Sequence, residues 1–147
     1  MDLLRVRRLF VGERVARFGM TGPGGHPRVT PVPFALIDDG DDGVVVCSFD
    51  VEPRSLAVAA QLRGLARTPR VSVLTDHSGE GIVRWWVQAD GVAEALRRGS
   101  ADPRFGVAEQ ALRRRHPSLD PHMTTIVWTT VTGWSGWTGP ADSEAAA

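Results

Sequence analysis

The feature that most limits what this chain can fold into is a series of extended, alternating runs set between dense turn signals. Arg14–Met20, Val29–Ile37, Val44–Phe49, Arg70–Asp76, Ile82–Leu96 and Thr124–Thr132 each read as a strand. Most are rich in β-branched or aromatic residues, which suit a pleated, half-buried surface. Between them lie Thr21–Pro27, Asp38–Gly43 and His77–Gly81, clusters of glycine, proline, aspartate and serine that turn the chain. Alternation sends neighbouring side chains to opposite faces. Trp85 and Trp86 therefore point apart, one into a core and one outward, and Val127, Thr129 and Val131 share one face against Ile126, Trp128 and Thr130. Pro31 and Pro33 cannot donate to a ladder, so their run has an edge or a bulge there. Asp90-Gly91 marks a bend in the longest run.

Three segments follow the helical period instead. Asp2 is placed to cap a short helix with Leu3, Val6, Leu9 and Phe10 on one face, ended by Gly12. A helix opening near Pro53 sets Val58, Leu62 and Leu65 on one side and stops before Thr68-Pro69. Asp102-Pro103 is an N-cap and first-turn pair for a third helix, with Phe105, Ala108, Ala111 and Leu112 inward and Arg113 and Arg114 mostly outward; His116-Pro117 closes it. Six strands with hairpin turns, one helical crossover and a late helix favour a mostly β (α+β) architecture. A small, mostly antiparallel barrel is expected, and an open α+β sheet is the alternative. Trp134 and Trp137 are too large and apolar to be left in water, and should pack into the barrel mouth or against a second subunit.

A length of 147 residues fits one domain. Its expected bounds are 1–138, followed by a small, polar, disordered tail at 139–147. Such a chain buries roughly two-thirds of its unfolded surface and needs no staple. The formal net charge of zero argues against nucleic acid or an anionic membrane held by bulk electrostatics. No apolar stretch reaches the ~18 residues of a membrane-spanning helix, and the start lacks a signal-peptide core, so a cytoplasmic location is expected. All 17 basic residues are arginine. Lysine chemistry is thereby excluded, and any anion must be held by guanidinium, backbone N–H or hydroxyl groups.

Cys47 is the sole cysteine and sits inside an apolar run, where thiols are usually inert. His26, His77, His116 and His122 are scattered with no zinc-site spacing. Gly22–Gly25 lacks the Lys-Ser/Thr ending of a phosphate-binding loop and leads into a strand, so it reads as a hairpin turn. Arg54-Ser55, at a helix start after the third strand, joins a guanidinium, a hydroxyl and exposed N–H groups; it reads equally as an anion site or as a capped helix start. Glu52 suits a helix N-terminus but would repel a phosphate.

Several segments, in order, match a known pattern: Phe10-Val11 with Arg14–Arg17, Pro27–Leu36, Pro69–Leu74 with Asp76-His77, Trp85–Val87 with Ala89–Gly91, and Trp134-Ser135-Gly136-Trp137. Together they resemble the deazaflavin (coenzyme F420)-dependent branch of the pyridoxamine-5′-phosphate-oxidase-like, FMN-binding split β-barrel family, in an actinobacterial subgroup ending in Trp-Ser-Gly-Trp. The resemblance implies a six-stranded antiparallel split barrel with short flanking helices. It implies a homodimer holding F420, or alternatively FMN, in a groove between subunits, and hydride transfer to or from a small organic substrate. In that reading Val32, Pro33 and Phe34 present backbone to the ring, and the segment from Ser48 and Phe49 to Arg54 and Ser55 holds phosphate. Trp86 is an aromatic contact, and Trp134 to Trp137 of the partner closes the site. The sequence departs from the subgroup at Glu52-Pro53-Arg54, where two basic positions usually flank the proline. A non-catalytic ligand-binding member of the same family is a further alternative.

Overall fold

The computed structural model describes residues 1–49 and 56–140. They form three α-helices, α1 (Leu3–Gly12), α2 (Leu56–Gly64) and α3 (Arg104–Arg115), and six strands. The strands are β1 (Val15–Thr21), β2 (Pro27–Ile37), β3 (Val44–Ser48), β4 (Arg70–Gly79), β5 (Ile82–Arg97) and β6 (Thr125–Thr138). All neighbours run antiparallel, and the sheet closes in the order β1-β2-β3-β6-β5-β4. The barrel expected from the strand signals is present, and the open-sheet alternative is not.

Alternation builds the interior. Ala16, Phe18 and Met20 of β1 point inward, as do Val32 and Phe34, Val45 and Cys47, Val71 and Val73, and Trp85, Val87 and Ala89. Helix α1 adds Val6 and Phe10 to this core, and the Asp2 carboxylate caps it by accepting from Arg5 N at 2.9 Å. Leu3, expected on the buried face, is exposed, because the helix meets the barrel mainly through its last two turns. Phe10 is the centre of the contact: its ring sits edge-on to Phe34 (4.8 Å) and to Trp134 (5.0 Å). A second core lies outside the barrel, where Phe105, Ala108 and Leu112 of α3 cover Ala35, Val44, Val46, Leu96 and Ile126. Helix α3 begins at Arg104, one residue later than the Asp102-Pro103 pair indicates, yet the Asp102 carboxylate still accepts from Arg104 N at 3.0 Å.

Several strand ends run beyond the sequence reading, where a ladder outweighs local residue preference. Strand β4 runs on through His77 to Gly79, and its hairpin is a tight turn at Glu80-Gly81 with φ of 53° and 76°. Positive φ at both central residues matches the right-handed twist of the flanking strands. Strand β5 runs one residue further, to Arg97. Strand β2 begins at Pro27, two residues early. Strand β6 continues past Gly133 to Thr138 because the long β5 lies beside it, with Trp137 opposite Trp86 and Gly136 opposite Val87. The bend foreseen at Asp90-Gly91 is a register shift against β6. A Cβ on Gly91 would lie 2.4 Å from the Thr130 carbonyl oxygen, so the two strands approach this closely only with glycine there. Of the expected tail, residues 141–147 lie outside the described residues; Gly139 N donates to the Arg84 carbonyl at 2.7 Å.

The loop after α3 is fastened by charge. Glu109 accepts from Arg98 and, at 3.0 Å, from Arg113, while Arg98 and Arg113 also donate to the carbonyls of Met123 (2.8 Å) and Leu119 (3.3 Å). Burial opposes ionisation of Glu109, but the two guanidinium bonds outweigh it and hold the carboxyl below its usual range. A group whose folded pKa is depressed contributes stability above its unfolded pKa and loses it as pH falls through the folded value. Urea unfolding of Glu109→Gln should therefore show a loss of about 1 kcal/mol at pH 7 that shrinks toward zero once the pH drops below the carboxylate range. Gly91→Ala should cost about 1–3 kcal/mol by the same measurement, because the clash is with backbone that cannot move aside; an unchanged midpoint would contradict the close approach.

Candidate functional site

Strand β2 changes partners along its length. Its first part pairs with β1 from Pro27 to Pro33, and its last part pairs with β3 from Phe34 to Ile37. Pro27, Pro31 and Pro33 share one parity, so against β1 they fall at positions where no bond is exchanged and their missing N–H groups cost that ladder nothing. The same parity turns them toward β3. Continuing the β2–β3 register past Phe34–Cys47 would set Pro33 opposite Ser48, and Pro33 has no N–H to offer. The ladder stops there, and the barrel splits between the first half of β2 and the end of β3. The prolines mark a true break in pairing, as the sequence indicated.

The candidate residues divide around this split. Val32 and Phe34 are fully buried, with their side chains in the core, so only their backbone can meet a ligand. Pro33 is half-buried on the outer face. Ser48 is buried at the end of β3, and Phe49 packs edge-on against Phe18 at 5.0 Å, inside the barrel. Arg54 and Ser55, with Glu52, lie outside the described residues. Trp85 fills the barrel interior and Trp86 lies outside, half-buried, directly opposite Trp137. The two ends of the Trp-Ser-Gly-Trp segment lie on opposite faces of β6. Being three apart on a strand, Trp134 turns in, packs on Phe10 and donates Nε1 to the Asp42 carbonyl at 2.8 Å, while Trp137 stays 44% exposed. Of the two, Trp137 is the more exposed.

The outer face of β1, β4 and β5 carries a groove of about 780 Å³, within the range of small-molecule sites. Its floor holds a polar group that sequence reasoning did not single out: Ser72 Oγ donates to Asp90 Oδ1 at 2.6 Å, and Gln88 Nε2 donates to the same oxygen at 2.8 Å. Alternation places Gln88 and Asp90 on one face, but only the β4–β5 register, with Ser72 opposite Asp90, brings in the third member. Arg28 and Arg70 line the same groove.

Other chemistries find no support among the described residues. No group of three or more histidine, cysteine, aspartate or glutamate side chains could hold a metal ion. No helix is long and apolar enough to cross a membrane. Cys47 is fully buried, and desolvation drives its thiol pKa far upward, so no thiolate forms near neutral pH.

This architecture is a split β-barrel, and solved structures share it. The chain is similar to an FAD-binding protein from Mycobacterium smegmatis (TM-score 0.62, 17% identity, 93% of this chain and 94% of that one). It is also similar to an FAD-binding protein from Mesorhizobium loti (TM-score 0.60, 22% identity, 92% of each chain). A third is a protein from Clostridium acetobutylicum related to general stress protein 26, of the pyridoxinephosphate oxidase family (TM-score 0.57, 12% identity, 94% and 91%). At these identities the likeness is one of fold. No protein-family model and no curated protein sequence matches the chain.

The state of Cys47 can be read directly. A thiol-reactive dye should leave the native protein unlabelled and modify it at once in denaturant; rapid labelling without unfolding would place the thiol at the surface.

Proposed function

We propose that the chain is an oxidoreductase that holds a flavin-type cofactor, F420 in the first instance, and moves a hydride between it and a small organic substrate. The observation that carries this reading is the ladder break at Pro33. It supports a planar ring lying against the Val32–Phe34 backbone beside Ser48, since a flat edge of strand needs no side chain to receive it. The residues present fit such a group: no acidic side chain lies in Val29–Phe34, and Trp86 and Trp137 offer flat apolar surface on the outer face. When bound, the cofactor would supply the hydride chemistry. The chain's own part is to orient the ring by backbone contact and to keep water from its face. Cys47 is buried beyond reach, so no thiol takes part.

The outer face also motivates the proposed homodimer. Val15, Val29 and Val92 are exposed there, Val29 by 68%. A second copy covering this face would bring its own Trp137 toward the split. FMN is the second reading, favoured by the FAD-binding proteins that share the fold. A non-catalytic ligand-binding barrel would keep the groove and lose the turnover.

Fluorescence titration separates these readings. Quenching of F420 with a dissociation constant in the micromolar range, and none of FMN, supports the first; the reverse supports the second. Absence of binding by either at tens of micromolar would overturn both. Trp137→Ala should weaken whichever cofactor binds by about three- to tenfold, the worth of one aromatic contact. Sedimentation should give a dimer that Val92→Arg converts to monomer; a wild-type monomer would remove the shared groove.

A further inference from the structure

A second charged cluster lies where β1 leaves the sheet. Strand β1 starts at Val15, opposite Pro33, so the Phe34 carbonyl beyond it has no strand partner on that side. His116, at the C-terminal end of α3, takes it up: Nε2 lies 2.9 Å from the Phe34 oxygen, and since a carbonyl only accepts, Nε2 carries the proton. Arg115 packs its guanidinium over the Phe34 ring at 5.1 Å and donates to the Glu13 carbonyl at 2.6 Å. Arg14 donates in turn to the Arg115 carbonyl at 2.8 Å.

The two arginines are thus joined at the same corner of the fold with only main-chain oxygens as acceptors. Among the described residues, no carboxylate lies within 4.0 Å of either guanidinium, whereas Arg98, Arg104 and Arg113 are all ion-paired. The nearest acid in sequence, Glu13, turns its carboxylate to His77 Nδ1 at 3.2 Å. The buried Nε of Arg115 has no hydrogen-bond partner among the described residues. Burial and the neighbouring charge of Arg14 both push the Arg115 guanidinium downward, the sign of a cation lacking its counter-charge. Two forked, permanently charged donor sets with spare N–H groups suit a tetrahedral oxyanion.

We infer that Arg14 and Arg115 form a binding site for a doubly charged oxyanion, either free phosphate or the phosphomonoester end of a larger ligand. The site stands apart from the cofactor reading and holds whether or not a ring binds at Pro33.

The test is thermal unfolding of the full chain at pH 7.5 in sodium phosphate, against sodium chloride of matched ionic strength. Phosphate at ten times its dissociation constant should raise the midpoint by about 3–6 °C above chloride, and the rise should saturate. Arg14→Gln, an exposed position whose loss leaves the core intact, should weaken the apparent affinity about tenfold or more, and the exposed Arg97→Gln should not. Calorimetric titration with phosphate and with glycerol 2-phosphate distinguishes the sources. Binding of phosphate alone assigns a free-anion site, and equal or tighter binding of the ester assigns an ester head group. No stabilisation beyond chloride, or an equal response in Arg14→Gln, would overturn the proposal.

Discussion

Pro33 has no N–H, and much of the molecule's shape follows from that. Because the β2–β3 ladder cannot extend past Phe34, β2 spends its first half beside β1 and its second half beside β3. A strand shared in this way lets six strands close without a full-length seam. Closure is correspondingly brief elsewhere: β1 meets β4 only from Arg17 to Gly19, whereas β5 and β6 pair from Trp85 to Arg97. The long pair is the most extensively paired wall of the barrel.

The split places demands on the residues around it. With β1 ending below Phe34, that carbonyl would be a buried acceptor without a donor, a cost of about 1–3 kcal/mol. His116 and Arg115 close this corner from α3, so the helix that covers the second core also finishes the first. Phe10 seals the same region from the other side by packing on both Phe34 and Trp134. The two cores thus meet at Phe34, and the proposed ring-binding backbone is held from behind by His116 and Phe10.

On the outer face the polar and apolar residues are sorted differently. Trp86 and Trp137 stand opposite one another toward one end, and the Ser72–Gln88–Asp90 group lies toward the other. A site built on this face would have an apolar end suited to a ring and a hydrogen-bonding end suited to polar substituents.

The number of strands, their order along the chain, the bend at Asp90-Gly91 and the helix start at Asp2 were legible in the sequence, because each depends on neighbours within a few residues. Alternation alone was enough to separate Trp85 from Trp86. The length of β6 was not, since Gly133 and Gly136 read locally as breaks and only β5 alongside holds them extended. Nor was the parting of Trp134 from Trp137, which followed once the strand was seen to continue through both. The candidate site was legible as a segment, Val32–Phe34, but its use of backbone, with Val32 and Phe34 buried, depends on which way the barrel closes. Asp90 found Ser72, and Arg115 found Arg14, across 18 and 101 residues of chain; such pairings are set by register and packing, which no local pattern encodes.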